Sequence, residues 1–259
     1  NERPLAEVYP FVMVDAMVLR VRKGGQVRPQ SALIAIGVNM RGYREVLGFW
    51  IGDSETYASW SDFFSWLKRR GLRGVDVVVS DQHSGLVKAV ETHFQGAMWQ
   101  RCQTHFTRNI LDACPKQLQE ELLSQLRVIW TAPDVMTARE ILRRVIDNFG
   151  SRAPRAMTIL EEGFDDAVAV LNLPERYRKR LRTTNGVERL IEEVRRRERV
   201  IRIFPNVESA VRLLGALLME KDEAWSTDRP YFDMRDYLEW KRAQEVPPTS
   251  ACELAVAGG

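Results

Sequence analysis

Three acidic residues stand where an α/β chain gathers reactive groups. Asp15 interrupts the run from Phe11 to Val21, which is otherwise almost wholly apolar, the pattern of a central strand covered on both faces. A carboxylate left unpaired in such a place is strongly disfavoured in its charged form, so Asp15 needs a basic partner or a metal ion. Asp81 follows a second β-branched run, Val75 to Val79, with Ser80 between. In open α/β sheets ligands collect at the carboxyl ends of strands. A loop aspartate there can equally cap the next helix, into which Gly85 eases the turn. Glu188 lies near the start of a late amphipathic helix, in Asn185-Gly186-Val187-Glu188. That spacing also makes a capping box, in which the glutamate bonds back to its own helix start. Glu192, one turn further along the same face, is the alternative third carboxylate. Cys102-x-x-His105 invites a zinc reading, but the further ligands on offer, Cys114, His83 and His93, fall at no finger spacing. Local packing of a buried Cys and His is the other reading.

The elements that must position these groups follow from periodicity and turn chemistry. Phe11 to Val21, Ser31 to Met40 and Glu45 to Ile51 read as strands, joined by turns at Lys23-Gly24-Gly25-Gln26 and Arg41-Gly42-Tyr43. Asp53 and Glu55 cap a helix whose apolar face is Trp60, Phe63, Phe64 and Leu67. After the strand that ends near Asp81, Leu86, Val87, Val90 and Phe94 fall at helical spacing, and Ala97 to Gln100 makes a fifth strand. Three strands in a meander followed by βαβ units is the order of a ribonuclease-H-like α/β fold: a mixed five-stranded sheet flanked by helices. In that fold the first and fourth strands are neighbours, which brings Asp15 to Asp81. From Thr104 to Arg182 strand signals fade and prolines punctuate helical stretches, as in an all-helical insertion before the last helix of the core. Trp130, at one helix end there, suits core packing or stacking on a base. The expected organisation is a first core part (1–103), the insertion (104–182), the core completion with the Glu188 helix (183–225), and a partly disordered tail (226–259).

Three converging carboxylates repel one another, and a divalent cation resolves that repulsion. All-oxygen ligation favours Mg²⁺, with Mn²⁺ as substitute. Two such ions roughly 3.5–4 Å apart support in-line phosphoryl displacement.

Bulk properties set bounds. No apolar run is long enough to span a bilayer and no signal-peptide pattern opens the chain, so no membrane is expected and the cytoplasm is the default. Three cysteines offer no disulfide framework. The net charge of +3 names no polyanion partner. Its distribution does, since Arg176, Arg178, Lys179, Arg180 and Arg182 cluster, as do Arg189, Arg195, Arg196, Arg197, Arg199 and Arg202; such clusters suit a nucleic-acid backbone or a solvated helix face. The opening Asn-Glu-Arg-Pro lacks a methionine, as expected of a fragment or a processed chain.

Asp81, Gly85-Leu86 and Trp99-Gln100-Arg101-Cys102-Gln103-Thr104-His105 together resemble the signature of the Mutator-type bacterial insertion-sequence transposases, over about Phe11 to Trp225. Asn185-x-x-Glu188-Arg189 followed by Glu193-x-Arg195-Arg196-Arg197 is similar to that family's C-terminal catalytic region. The resemblance implies an Asp15-Asp81-Glu188 triad, with Cys102 and His105 beside it. It also implies cleavage of double-stranded DNA at element ends and joining through 3′-hydroxyls, by a homo-multimer in the bacterial nucleoid. Family members carry an N-terminal DNA-binding region, and this chain would start after it. The rival readings are a ribonuclease-H-like nuclease of the resolvase type, which only hydrolyses, and a non-catalytic DNA-binding remnant.

Overall fold

A computed structural model describes residues 2–245. The Pro-, Ala- and Gly-rich stretch from Val246 onward, expected to be disordered, and Cys252 lie outside the described residues. In chain order the elements are β1 (Phe11–Lys23), β2 (Gln26–Val38), β3 (Arg44–Gly52), α1 (Tyr57–Arg69), β4 (Val77–Ser80), α2 (Ser84–His93) and β5 (Met98–Arg101). Helices follow: α3 (Gln103–Asp112), α4 (Gln119–Trp130), α5 (Val135–Phe149), α6 (Pro154–Glu162), α7 (Phe164–Val168), α8 (Glu175–Leu181), α9 (Asn185–Ile201), α10 (Val207–Thr227) and α11 (Arg235–Glu245).

The strands form one mixed five-stranded sheet in the order β3-β2-β1-β4-β5, flanked by helices: the ribonuclease-H-like arrangement. β1 and β2 are antiparallel and meet at a two-residue Gly24-Gly25 turn with both glycines at positive φ, the backbone that a tight hairpin requires. Both strands run further into this hairpin than their apolar runs indicate. β4 pairs with β1 in parallel, but only over Phe11, Val12 and Met13. Beyond that point β1 loses its neighbour, and its burial turns to alternation, with Val18 and Arg20 exposed between buried Met17, Leu19 and Val21.

Two buried clusters cover the two faces of the sheet. Phe11, Met13, Met17, Val77 and Val79 meet Val187, Leu190, Ile191 and Val194 of α9 and Leu214 and Leu218 of α10. Val12, Val14 and Val78 meet Trp60, Phe63, Phe64 and Leu67 of α1 and Leu86 and Val90 of α2 on the other face. Helices α3 to α7 share a third cluster of their own, built on Phe106, Leu126, Phe149 and Phe164. Trp130 belongs to it: its ring lies 5.8 Å from Phe106 and its Nε1 donates to Thr107 Oγ1 at 3.0 Å.

Several local expectations change. Helix α1 is capped by Thr56, whose hydroxyl accepts from Ser59 N, not by Asp53 or Glu55. Asp53 instead accepts from Lys23 and Gln30, and Glu55 from Trp60 Nε1. The segment past Trp225 includes α11, which buries Tyr237 in the α9–α10 cluster, with Tyr237 and Lys241 both bonded to Asp76. Gly85 serves a close approach, not a turn. It lies within α2, and a Cβ there would sit 2.5 Å from the Tyr57 backbone nitrogen at the start of α1. Gly85→Ala is therefore expected to destabilise the chain by about 1–3 kcal/mol, read as a lower midpoint in denaturant unfolding.

Candidate active site

Strand parity brings the acidic residues together. Along β1 the odd-numbered Phe11, Met13 and Met17 face the α9 side, and so do Val77 and Val79 of β4. Asp15 shares that parity, and continuing the register Met13↔Val79 by two residues sets Asp15 opposite Asp81. Because β4 has ended at Ser80, Asp15 stands at a notch in the sheet. Its Oδ1 accepts from the Ala16 amide at 2.8 Å. Helix α9 lies across this face with Val187, Leu190, Ile191 and Val194 inward, which delivers Glu188 in its first turn.

The structure brings Asp15, Asp81, Cys102, His105 and Glu188 into one cluster. His105 lies between two of the carboxylates, with Nδ1 3.5 Å from Asp81 Oδ2 and Nε2 3.9 Å from Glu188 Oε1. Nδ1 is buried and has no hydrogen-bond partner, so its contact with Asp81 is electrostatic without hydrogen-bond alignment. Burial, reinforced by Glu188 and Asp81 and opposed by the Ala16 amide and His105, pushes the Asp15 carboxyl up to about 6. His105 is pushed up to about 9 by hydrogen bonding to the Cys102 thiol, and by the Asp81 and Glu188 charges, against its burial. Burial raises the Cys102 thiol, but hydrogen bonds from His105 and Thr184 outweigh it and leave the thiol lowered.

The capping box expected for Glu188 does not form. The helix start is Thr184, and Asn185 already belongs to the helix, so there is no Asn185–Glu188 capping box. Glu188 Oε1 instead accepts from the Thr184 hydroxyl at 2.6 Å, a bond that fixes the carboxylate toward His105. Thr184 is wholly buried and its amide also donates to Cys102 Sγ, at 3.4 Å. It is the residue that sequence reasoning missed; a hydroxyl one turn before a candidate acid was the available signal. Glu192 is exposed. Of the arginines expected to bind DNA, Arg196 and Arg197 share Glu193 within α9 at 2.7 and 3.7 Å, while Arg189, Arg195 and Arg199 are exposed with no ion pair among the described residues.

Ligand atoms of Cys102, His105 and Glu188 lie within 4.8 Å of one another, close enough for a shared cation. The thiol, however, is buried beneath Thr184 and accepts from its amide. The charges of Glu188 and Asp81, by contrast, reach Asp15 and add to the burial that raises it. An all-oxygen donor set of this kind fits a hard divalent cation.

A model of the family described as "Transposase, Mutator family" matches residues 1–228. The chain is 39% identical over 241 residues to a transposase for insertion sequence element ISRM5 of Rhizobium meliloti, covering 93% of this chain and 61% of that protein. It is 41% identical over 219 residues to a transposase for IS256 in transposon Tn4001 of Staphylococcus aureus, covering 84% of this chain and 56% of that one. With a transposase for IS1081 of Mycobacterium tuberculosis the identity is 39% over 233 residues, 90% of this chain and 56% of that one. The chain thus spans somewhat over half the length of these relatives.

A raised carboxyl pKa means that the folded state holds its proton longer than the unfolded one. Asp15 therefore lowers stability as pH rises from its ordinary value of 3.8 through about 6. In chelator, thermal unfolding of Asp15→Asn should lose this fall relative to the unsubstituted chain across that window. Added Mg²⁺ should stabilise the unsubstituted chain above pH 6 and leave Asp15→Asn nearly unmoved.

Proposed function

Because this chain belongs to the Mutator family of transposases, we propose that its acidic cluster cleaves DNA at transposon ends and joins the resulting 3′-hydroxyls to target DNA. The observation that carries the reading is the convergence of Asp15, Asp81 and Glu188 around His105 at one end of the sheet. These carboxylates would hold Mg²⁺, or Mn²⁺ in its place, as one or two ions. Bound there, the metal supplies positive charge against which a hydroxyl or water oxygen and a leaving oxygen exchange at phosphorus.

The chain's own residues do the rest. Asp15 within β1 and Asp81 just past the end of the neighbouring β4 are positioned by the pairing of those two strands. Thr184 fixes Glu188 by its 2.6 Å hydrogen bond. His105, pushed up to about 9 by its surroundings, carries positive charge that offsets the acidic charge that would repel DNA. Cys102 keeps Thr184, and through it Glu188, in place. Arg195 and Arg199 meet the duplex backbone, in a homo-multimer assembled on element ends within the bacterial cytoplasm. The residues 1–103 and 183–225 form the catalytic core in this reading, and 104–182 an insertion between them. Among the described residues no helix is long and apolar enough to cross a membrane.

The test uses duplexes carrying an element end, a pre-cut version with a free 3′-hydroxyl, and a target plasmid. Joined product in Mg²⁺ is expected; hydrolysis without joining would favour a resolvase-type nuclease. Asp81→Asn and Glu188→Gln are each expected to lower cleavage at least about a thousand-fold, while Glu192→Gln stays within about threefold. Equal loss in Glu192→Gln and none in Glu188→Gln would move the third ligand to Glu192.

A further inference from the structure

On the other flank of the first turn of α9 lies a cleft of about 560 Å³ that the acidic cluster does not use. Five cationic side chains line it: Arg44 at the start of β3, Lys179 and Arg180 in the last turn of α8, Arg189 beside Glu188, and Arg229 between α10 and α11. Against them stands one carboxylate, Asp228. None of the five has an acidic oxygen within 4.0 Å among the described residues. The contrast within α8 is direct, because Arg176 on the same helix is paired with both Asp233 and Asp236.

Aromatic faces hold two of these cations where carboxylates would otherwise do so. The Arg44 guanidinium lies 4.4 Å from the Trp225 ring and 4.5 Å from the Tyr231 ring, and Arg180 lies 4.5 Å from the Tyr231 ring. Arg180 also donates to the Tyr231 carbonyl. A guanidinium stacked face-on to a ring keeps part of its N–H edge free, and that edge matches phosphate oxygens. Burial lowers the Arg44 pKa, opposed by Tyr231 and Asp228 and joined to a smaller extent by Arg180 and Arg189. The cleft has the size of a small-molecule site, about 300–1,000 Å³, too small for a duplex and sufficient for one or two nucleotides.

We propose that this cleft binds backbone phosphates of a single DNA strand beside the active site, with Arg44, Arg180, Arg189, Arg229 and Lys179 as its cationic lining. The inference rests on the transposase reading and adds to it a path for one strand across the start of α9. Asn185 and Gly186 line the cleft while Glu188 of the same helical turn faces the acidic cluster, so a strand seated here continues onto the carboxylates.

The test is binding without divalent metal, which excludes cleavage. Fluorescein-labelled oligonucleotides of about twenty nucleotides, single-stranded and duplex, are titrated with the full chain across a range of salt. Lys179→Ala with Arg229→Ala is the main variant, because both side chains are exposed; Arg180→Ala is the second, and Arg152→Ala, in the helical segment, is the control. Unchanged circular dichroism establishes folding. The double variant is expected to bind the single strand roughly tenfold more weakly, with a salt slope shallower by about 1.4, since each phosphate no longer neutralised on a single strand removes about 0.7. Arg180→Ala should move in the same direction and Arg152→Ala should match the unsubstituted chain. Unchanged affinity and slope in the double variant, while the unsubstituted chain still binds, would overturn the strand path and leave the transposase reading intact. A loss confined to duplex DNA, or an equal loss in Arg152→Ala, would also overturn it. Failure of the unsubstituted chain to bind either DNA would overturn both.

Discussion

Parallel pairing of Phe11, Val12 and Met13 with Val77, Val78 and Val79 sets the spacing of two carboxylates that lie far apart in the chain. Only three register pairs join these strands, and β4 then stops, so Asp15 keeps β2 on one side and faces a notch beside Asp81 on the other. Buried valines on both faces hold the pairing. A slip of one residue would turn Asp15 toward the opposite, α1–α2 face. The geometry of the acidic cluster is thus a consequence of hydrophobic register, with hydrogen bonds refining it.

Helix α9 supplies the second constraint. Its apolar stripe seats it on the same sheet face, and its first turn carries Glu188 on one flank and Arg189 on the other. Thr184 links this turn to Cys102 at the end of β5, so strand and helix share one hydrogen-bonded junction. In that junction the cysteine of Cys102-x-x-His105 packs and accepts from the Thr184 amide, while the histidine stands between Asp81 and Glu188. Residues of this one helical turn thus reach both the acidic cluster and the cationic cleft.

Much of this was legible in the sequence because the decisive signals were local. The apolar run around Asp15, the β-branched run before Asp81 and the Gly24-Gly25 turn each specify an element directly, and their order gives the sheet. What escaped were relationships across the chain. The role of Thr184 depends on Cys102, which lies far upstream in sequence. The docking of α11 depends on Asp76, Tyr177 and Tyr237 meeting in space. Asp53 and Glu55 looked like caps by residue type, but the backbone entered its helix at Thr56, where the hydroxyl could reach Ser59. The cationic cleft gathers Arg44, Arg180 and Arg229 from separate elements, so charge runs pointed to only part of it.

The most direct test of the central claim is the position of bound metal. Crystals of the chain soaked in Mn²⁺ and measured at the manganese edge would locate it without reference to activity. The account predicts anomalous density held by oxygens of Asp15, Asp81 and Glu188, at roughly 2.1–2.2 Å as expected for a hard cation. Density bound instead by Cys102 Sγ and a His105 nitrogen, with Asp15 left free, would contradict it.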